Sequence, residues 1–179
     1  MARYRRYRKY SRRNRKSWST RLITFKGAQP AAPGTAYVIF QNLCQNPAQD
    51  INTVSNLYTV KNINCQVELE GEGQIESLQA YIIYVPQGYV PNGDPSEYGN
   101  IPFDHPEWIM AHRFYGSPQR EGSNITPGFP PLRLFSRLAR KLDTGDRIIL
   151  LILGENTNAG TASITLNYQG LVKFNTKAN

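Results

Sequence analysis

Residues 162–175 read Ala-Ser-Ile-Thr-Leu-Asn-Tyr-Gln-Gly-Leu-Val-Lys-Phe-Asn, and their alternation decides the fold class. Ala162, Ile164, Leu166, Tyr168, Val172 and Phe174 share one parity; Ser163, Thr165, Asn167, Gln169, Lys173 and Asn175 share the other. Successive side chains of a strand point to opposite faces, so this spacing sets one face on a core and the other in water. The same period of two runs through residues 62–70, where Ile63, Cys65, Val67 and Leu69 alternate with Asn64, Gln66, Glu68 and Glu70. Residues 148–153 (Ile-Ile-Leu-Leu-Ile-Leu) are apolar on both parities, which predicts a strand covered on both faces, by core and by neighbour.

Further strands are expected near 19–26, 36–44, 78–85 and 108–115. Residues 132–141 are open to two readings, because Phe135, Leu138, Ala139 and Leu142 also fit a helical face. The turn of Asp143, Thr144, Gly145 and Asp146 leads directly into the apolar run, which favours an antiparallel hairpin and hence a strand. Glu70, Gly71, Glu72 and Gly73 read as a second hairpin. Residues 27–34 (GAQPAAPG) read as a linker or turn. Two long loops, 86–106 with five prolines and 116–131 with four, carry function or an outer surface. Eight antiparallel strands with a few long connections predict an all-β jelly roll of two packed four-stranded sheets.

The charge is divided along the chain. Residues 1–26 hold eleven Lys or Arg and no acid, whereas residues 27–179 hold ten basic and thirteen acidic residues. The arm is therefore +11 and the body near −3, a distribution suited to a polyanion. The length of 179 residues suits one domain with an appendage: an arm and entry strand over 1–26 and a shell domain over 27–179, opening with a linker at 27–35. Residues 1–21 hold almost no aliphatics and are expected to be disordered when unbound.

Within the arm, Tyr4, Tyr7 and Tyr10 recur every third residue among Arg3, Arg5, Arg6, Arg8 and Lys9, and Arg12, Arg13, Arg15, Lys16, Trp18 and Arg21 continue the mixture. Guanidinium forks bind phosphate bidentately, and aromatic rings stack on unpaired bases. Arginine with interleaved tyrosine therefore points to single-stranded nucleic acid, bound with little sequence preference and a steep salt dependence. The same run fits a nuclear import signal.

Other chemistry is poorly supplied. His105 and His112 lack zinc spacing, and no nearby cysteine completes a set. No phosphate loop, dinucleotide fingerprint or nucleophile elbow occurs, so no catalytic residue, metal or cofactor is expected. Glu68, Glu70, Glu72 and Glu76 read as a solvated hairpin with a lesser prospect of an inter-subunit cation. Arg133, Arg137, Arg140 and Lys141 form a second basic group, facing packaged nucleic acid or water. Cys44 and Cys65 are too few for a disulfide scaffold, and Cys65 sits in an apolar series as a core residue. The longest apolar run is six residues, so no membrane insertion is expected, and no apolar stretch follows the basic one as a signal peptide requires.

The Arg/Tyr arm opening at Met1, the Pro/Gly linker, the eight short strands and residues 138–151 (Leu-Ala-Arg-Lys-Leu-Asp-Thr-Gly-Asp-Arg-Ile-Ile-Leu-Leu) resemble the capsid proteins of small circular single-stranded DNA viruses, circoviruses and their relatives above all. The resemblance implies a self-assembling shell of sixty copies, with arms inside and long loops outside, around a single-stranded DNA genome. It also implies a virion protein that enters the host nucleus through its arm, with host import factors and a receptor as partners. Sixty arms would carry roughly 660 positive charges, fewer than the phosphates of about one kilobase, leaving a remainder for ions or the inner wall. A cellular single-stranded nucleic-acid-binding protein with a basic tail is the alternative; a secreted trimeric jelly-roll lectin would have no use for the arm.

Overall fold

The computed structural model describes residues 18–46, 58–70, 75–89, 99–116, 131–156 and 163–178. In chain order these form β1 (Ser19–Ala31), β2 (Thr35–Gln45), β3 (Tyr58–Glu70), β4 (Ile75–Val85), a short helix α1 (Ile101–Asp104), a 3-10 turn (Pro106–Trp108), β5 (Ile109–Gly116), β6 (Leu132–Ser136), β7 (Arg140–Leu142), β8 (Arg147–Asn156) and β9 (Ile164–Ala178). The strands pair as an antiparallel ribbon: β1 with β9, β2 with β8, β3 with β6 and β7, and β4 with β5. Rolling that ribbon brings β9 beside β3 and β8 beside β4. A five-stranded sheet results, ordered β1-β9-β3-β6 with β7 also on β3, facing a four-stranded sheet ordered β2-β8-β4-β5. This is a jelly roll, with one more strand than the sequence suggested.

The alternating strands do what their period requires. Ile63, Cys65 and Val67 of β3 and Val172 of β9 meet Ile39 of β2 and Leu150 of β8 between the sheets. Burial raises the Cys65 thiol from 9.0 to about 12, so it is an inert core group. β8 is covered on both faces as its composition demands. Ile148, Leu150 and Ile152 enter the inter-sheet core, while Ile149 and Leu151 lie under a second cluster with Ile101, Tyr81 and Trp108. The outer cover comes from this chain's own α1 and 3-10 turn, within a segment expected to be loop.

Three sequence expectations change. The linker expected at 27–35 is mostly strand, because β1 continues to Ala31 and only the turn that follows reverses the chain. Gly27 faces Tyr168 of β9, whose ring fills the space a Cβ would occupy. Pro30 is tolerated because β1 is an edge strand. The segment 132–141 is strand, interrupted: β6 and β7 both pair with β3, on either side of a break at 137–139.

Neither expected hairpin, at 70–73 or 143–146, joins paired strands: β3 and β4, and likewise β7 and β8, lie in opposite sheets, and residues 71–73 lie outside the described residues. A turn signal reports that the chain reverses, not which sheet receives it. The two-sided β8 needs a central position, which the four-stranded sheet supplies between β2 and β4.

At the 143–146 turn the Asp146 carboxylate is buried and fully engaged. It accepts hydrogen bonds from the Tyr84 hydroxyl and from the N–H groups of Gln87 and Asp143, each at 2.8 Å. The Asn46 N–H donates to the Asp146 carbonyl, and the Gly145 N–H to the Asn46 carbonyl. One turn thereby ties together the ends of β2, β4, β7 and β8.

Candidate nucleic-acid interface

The arm residues from Arg3 to Lys16 lie outside the described residues. Trp18 and Arg21 are described, and they separate. Trp18 has the parity of Thr20 and Leu22 and lies on the outward face of the five-stranded sheet, with the Lys61 ammonium 3.8 Å and the Lys177 ammonium 6.0 Å from its ring centroid. Arg21 pairs with Phe174, whose side chain enters the core, so it has the opposite parity and sits exposed at the sandwich margin.

The register lays out that outward face row by row. Lys141 of β7 and Lys177 of β9 flank Thr59 of β3. The next row holds Lys61, Asn175 and Thr20, with the Thr20 hydroxyl donating to Asn175 Oδ1 at 3.1 Å. Then follow Phe135, Asn64, Lys173 and Leu22; then Arg133, Gln66, Leu171 and Thr24. The far rows hold Glu68, Gln169 and Lys26, then Glu70, Asn167 and Ala28.

The face is electrically divided. Its first four rows carry Lys61, Arg133, Lys141, Lys173 and Lys177 without an acid. Its far end balances Lys26 against Glu68 and Glu70, where two shallow grooves of about 540 and 460 Å³ share Lys26, Glu68 and Gln169. None of the five cations forms an ion pair among the described residues; an acid–base contact there runs from His105 Nδ1 to Glu107 Oε1 at 3.2 Å.

A bulge places Lys61 in this group. The β3–β9 register shifts between Lys61 and Asn64, and Asn62 adopts a φ of 53°. Lys61 and Ile63 share sequence parity, yet the extra residue turns Ile63 inward and Lys61 outward. Asparagine is among the few residues that enter this left-handed region at modest cost.

The second basic group divides. Arg133 and Lys141 join the outward face, and the Arg137 guanidinium lies 5.7 Å from the Phe135 ring centroid. Arg140 turns away, over the Tyr84 ring, and donates to the Glu107 carbonyl at 2.8 Å. Lys61, Lys173 and Lys177 on this face were not singled out from the sequence; for the β9 pair the available signal was their position in the polar parity.

The histidines have packing roles. His105 stacks on Trp108 at 3.8 Å with Tyr89 edge-on, and His112 stacks on Tyr81 at 4.5 Å. The Glu107 carboxyl is held below its usual range, chiefly by its own backbone N–H and then by His105. Glu68 accepts from Gln169 at 3.0 Å, and the loop with Glu72 lies outside the described residues. Among the described residues no cluster of three or more His, Cys, Asp or Glu is poised for a metal. Nor is any helix there long and apolar enough to cross a membrane.

No protein-family model matches the sequence, and no curated protein does. Among solved structures the chain is similar to a decameric BFDV capsid protein, with a TM-score of 0.35 and 10% identity over 91% of this chain and 99% of that one. The fold assignment stands on the strand order, not on that likeness.

Proposed function

We propose that this chain is a viral coat protein that assembles into a closed icosahedral shell and packages single-stranded DNA through residues 1–26. The observation that carries this reading is the division of charge: eleven cations and no acid in the first 26 residues, attached to a jelly roll whose remaining 153 residues are net acidic. Jelly rolls recur as shell, lectin and cupin domains. A cupin draws on histidine ligands, of which this chain has two, and a lectin has no use for a polycationic arm. The DNA assignment, the sixty-fold copy number and nuclear import follow the resemblance of the arm and of residues 138–151 to circovirus capsid proteins. The protein acts as a structural component of the virion and not as an enzyme.

Expression of the full chain, followed by size exclusion and negative-stain microscopy, tests the reading. Closed particles of uniform diameter with co-purifying nucleic acid are expected. A monomer that stays monomeric with added DNA would sink it and leave the cellular single-stranded nucleic-acid-binding protein in its place.

A further inference from the structure

We infer that the cationic half of the five-stranded sheet's outward face is a second polynucleotide site, built on the folded body, and that this face lines the inside of the shell. The second clause rests on the coat-protein reading; the first does not. Lys61, Arg133, Lys141, Lys173 and Lys177 come from four strands and converge within four rows. Strands lie about 4.8 Å apart and alternate residues about 6.7 Å apart, so the five cations occupy roughly 10 by 20 Å. Such a density of like charge, with no acid among them in the described residues, raises a local positive potential that attracts a polyanion.

Aromatic and aliphatic groups stand among the cations. Trp18, Leu22 and Phe135 are 39, 61 and 54% exposed. Ammonium groups for phosphates beside rings for unpaired bases make a surface suited to a single strand. The chain direction supplies an independent argument. Trp18, the first described residue, lies on this face at its cationic end, so the chain enters the sheet beside the patch. The cations offered per copy rise from the arm's eleven to sixteen, which narrows the charge deficit left by the arms alone. The opposite outward face, on the four-stranded sheet, is apolar around Tyr81, Ile149 and Leu151 and covered by α1 and the 3-10 turn.

The test uses the full chain with fluorescently labelled oligothymidylate. Each phosphate contact to a single strand contributes about −0.7 to the log–log salt slope, so Lys61→Gln, Lys173→Gln and Lys177→Gln together should reduce its magnitude by about 2. Substituting Arg3, Arg5, Arg6 and Arg8 by Gln should reduce it by about 3 if the arm binds. A shift in the arm variant alone overturns the second site and leaves the arm reading intact. A shift in the lysine variant alone does the reverse. Intrinsic fluorescence should also be quenched by the oligonucleotide, and Trp18→Phe should remove most of that quenching. Should the triple variant fail to fold, lysine-reactive footprinting of the unaltered chain reads the same surface. Protection of Lys61, Lys173 and Lys177 is expected, and undiminished labelling of all three overturns the proposal.

Discussion

Asn62 shows how a single backbone angle selects the chemistry of a face. Its φ of 53° absorbs the extra residue of the bulge and turns Lys61 toward Trp18. Asn62→Gly should be close to neutral, whereas Asn62→Val should cost about 1–2 kcal/mol in urea denaturation, because a branched side chain resists this region. Asp146 is the complementary case, an acid with no free acceptor. Asp146→Ala leaves the Tyr84 hydroxyl and two N–H groups without their partner and should cost about 3 kcal/mol, read from the shift in the urea midpoint. Protonation provides a further test. Burial raises Cys65 from 9.0, and burial with the Asp146 hydrogen bond raises Tyr84 from 10.0, each to about 12. Between pH 9 and 12 the folded chain therefore holds protons that the unfolded chain has released. The stability these groups contribute is complete below pH 9 and declines as pH climbs toward 12. Denaturation midpoints at pH 7, 9 and 11 should show that decline, and Cys65→Ala should flatten it; an unchanged midpoint at pH 11 would contradict it.

Among the elements, β8 and its cover form a unit that a double-mutant cycle can isolate. Ile149 and Ile101 are fully buried in one cluster, so truncating either to Ala should cost about 2–4 kcal/mol. The double variant should cost less than the sum, since the second truncation removes contacts the first has already broken. Strict additivity would mean that α1 does not pack on β8. The strands were legible because period two is a direct projection of a half-buried sheet, and β9 and β3 carry it almost unbroken. What escaped the sequence depends on partners distant in the chain. The turn at Asp143–Asp146 was recognisable, but its passage between sheets follows from where β8 finds cover on both faces. Helix α1 has four residues and begins Ile-Pro, too short for any periodicity. The arm is an expectation from composition, and its residues before Trp18 lie outside the described residues. The lysine patch was not legible in the sequence, because Lys61, Lys141, Lys173 and Lys177 become neighbours only through register.

For the molecule as a whole, the register sets where the arm can be removed without touching the sheet. Ser19, Thr20 and Arg21 already pair with β9, so removing residues 1–17 should leave thermal stability nearly unchanged while reducing co-purifying nucleic acid. Removing residues 1–31 takes away β1, exposes the β9 edge and should lower the melting temperature and promote aggregation. Equal stability of the two truncations would show that β1 contributes nothing to the body. β9 lies between β1 and β3, and every partner it has precedes it in the chain. During synthesis the five-stranded sheet therefore stays open until residues 164–178 have emerged. Edge strand β1, whose sheet partner is β9, therefore waits unpaired through nearly the whole of synthesis, and the five-stranded sheet closes only with the last strand to arrive.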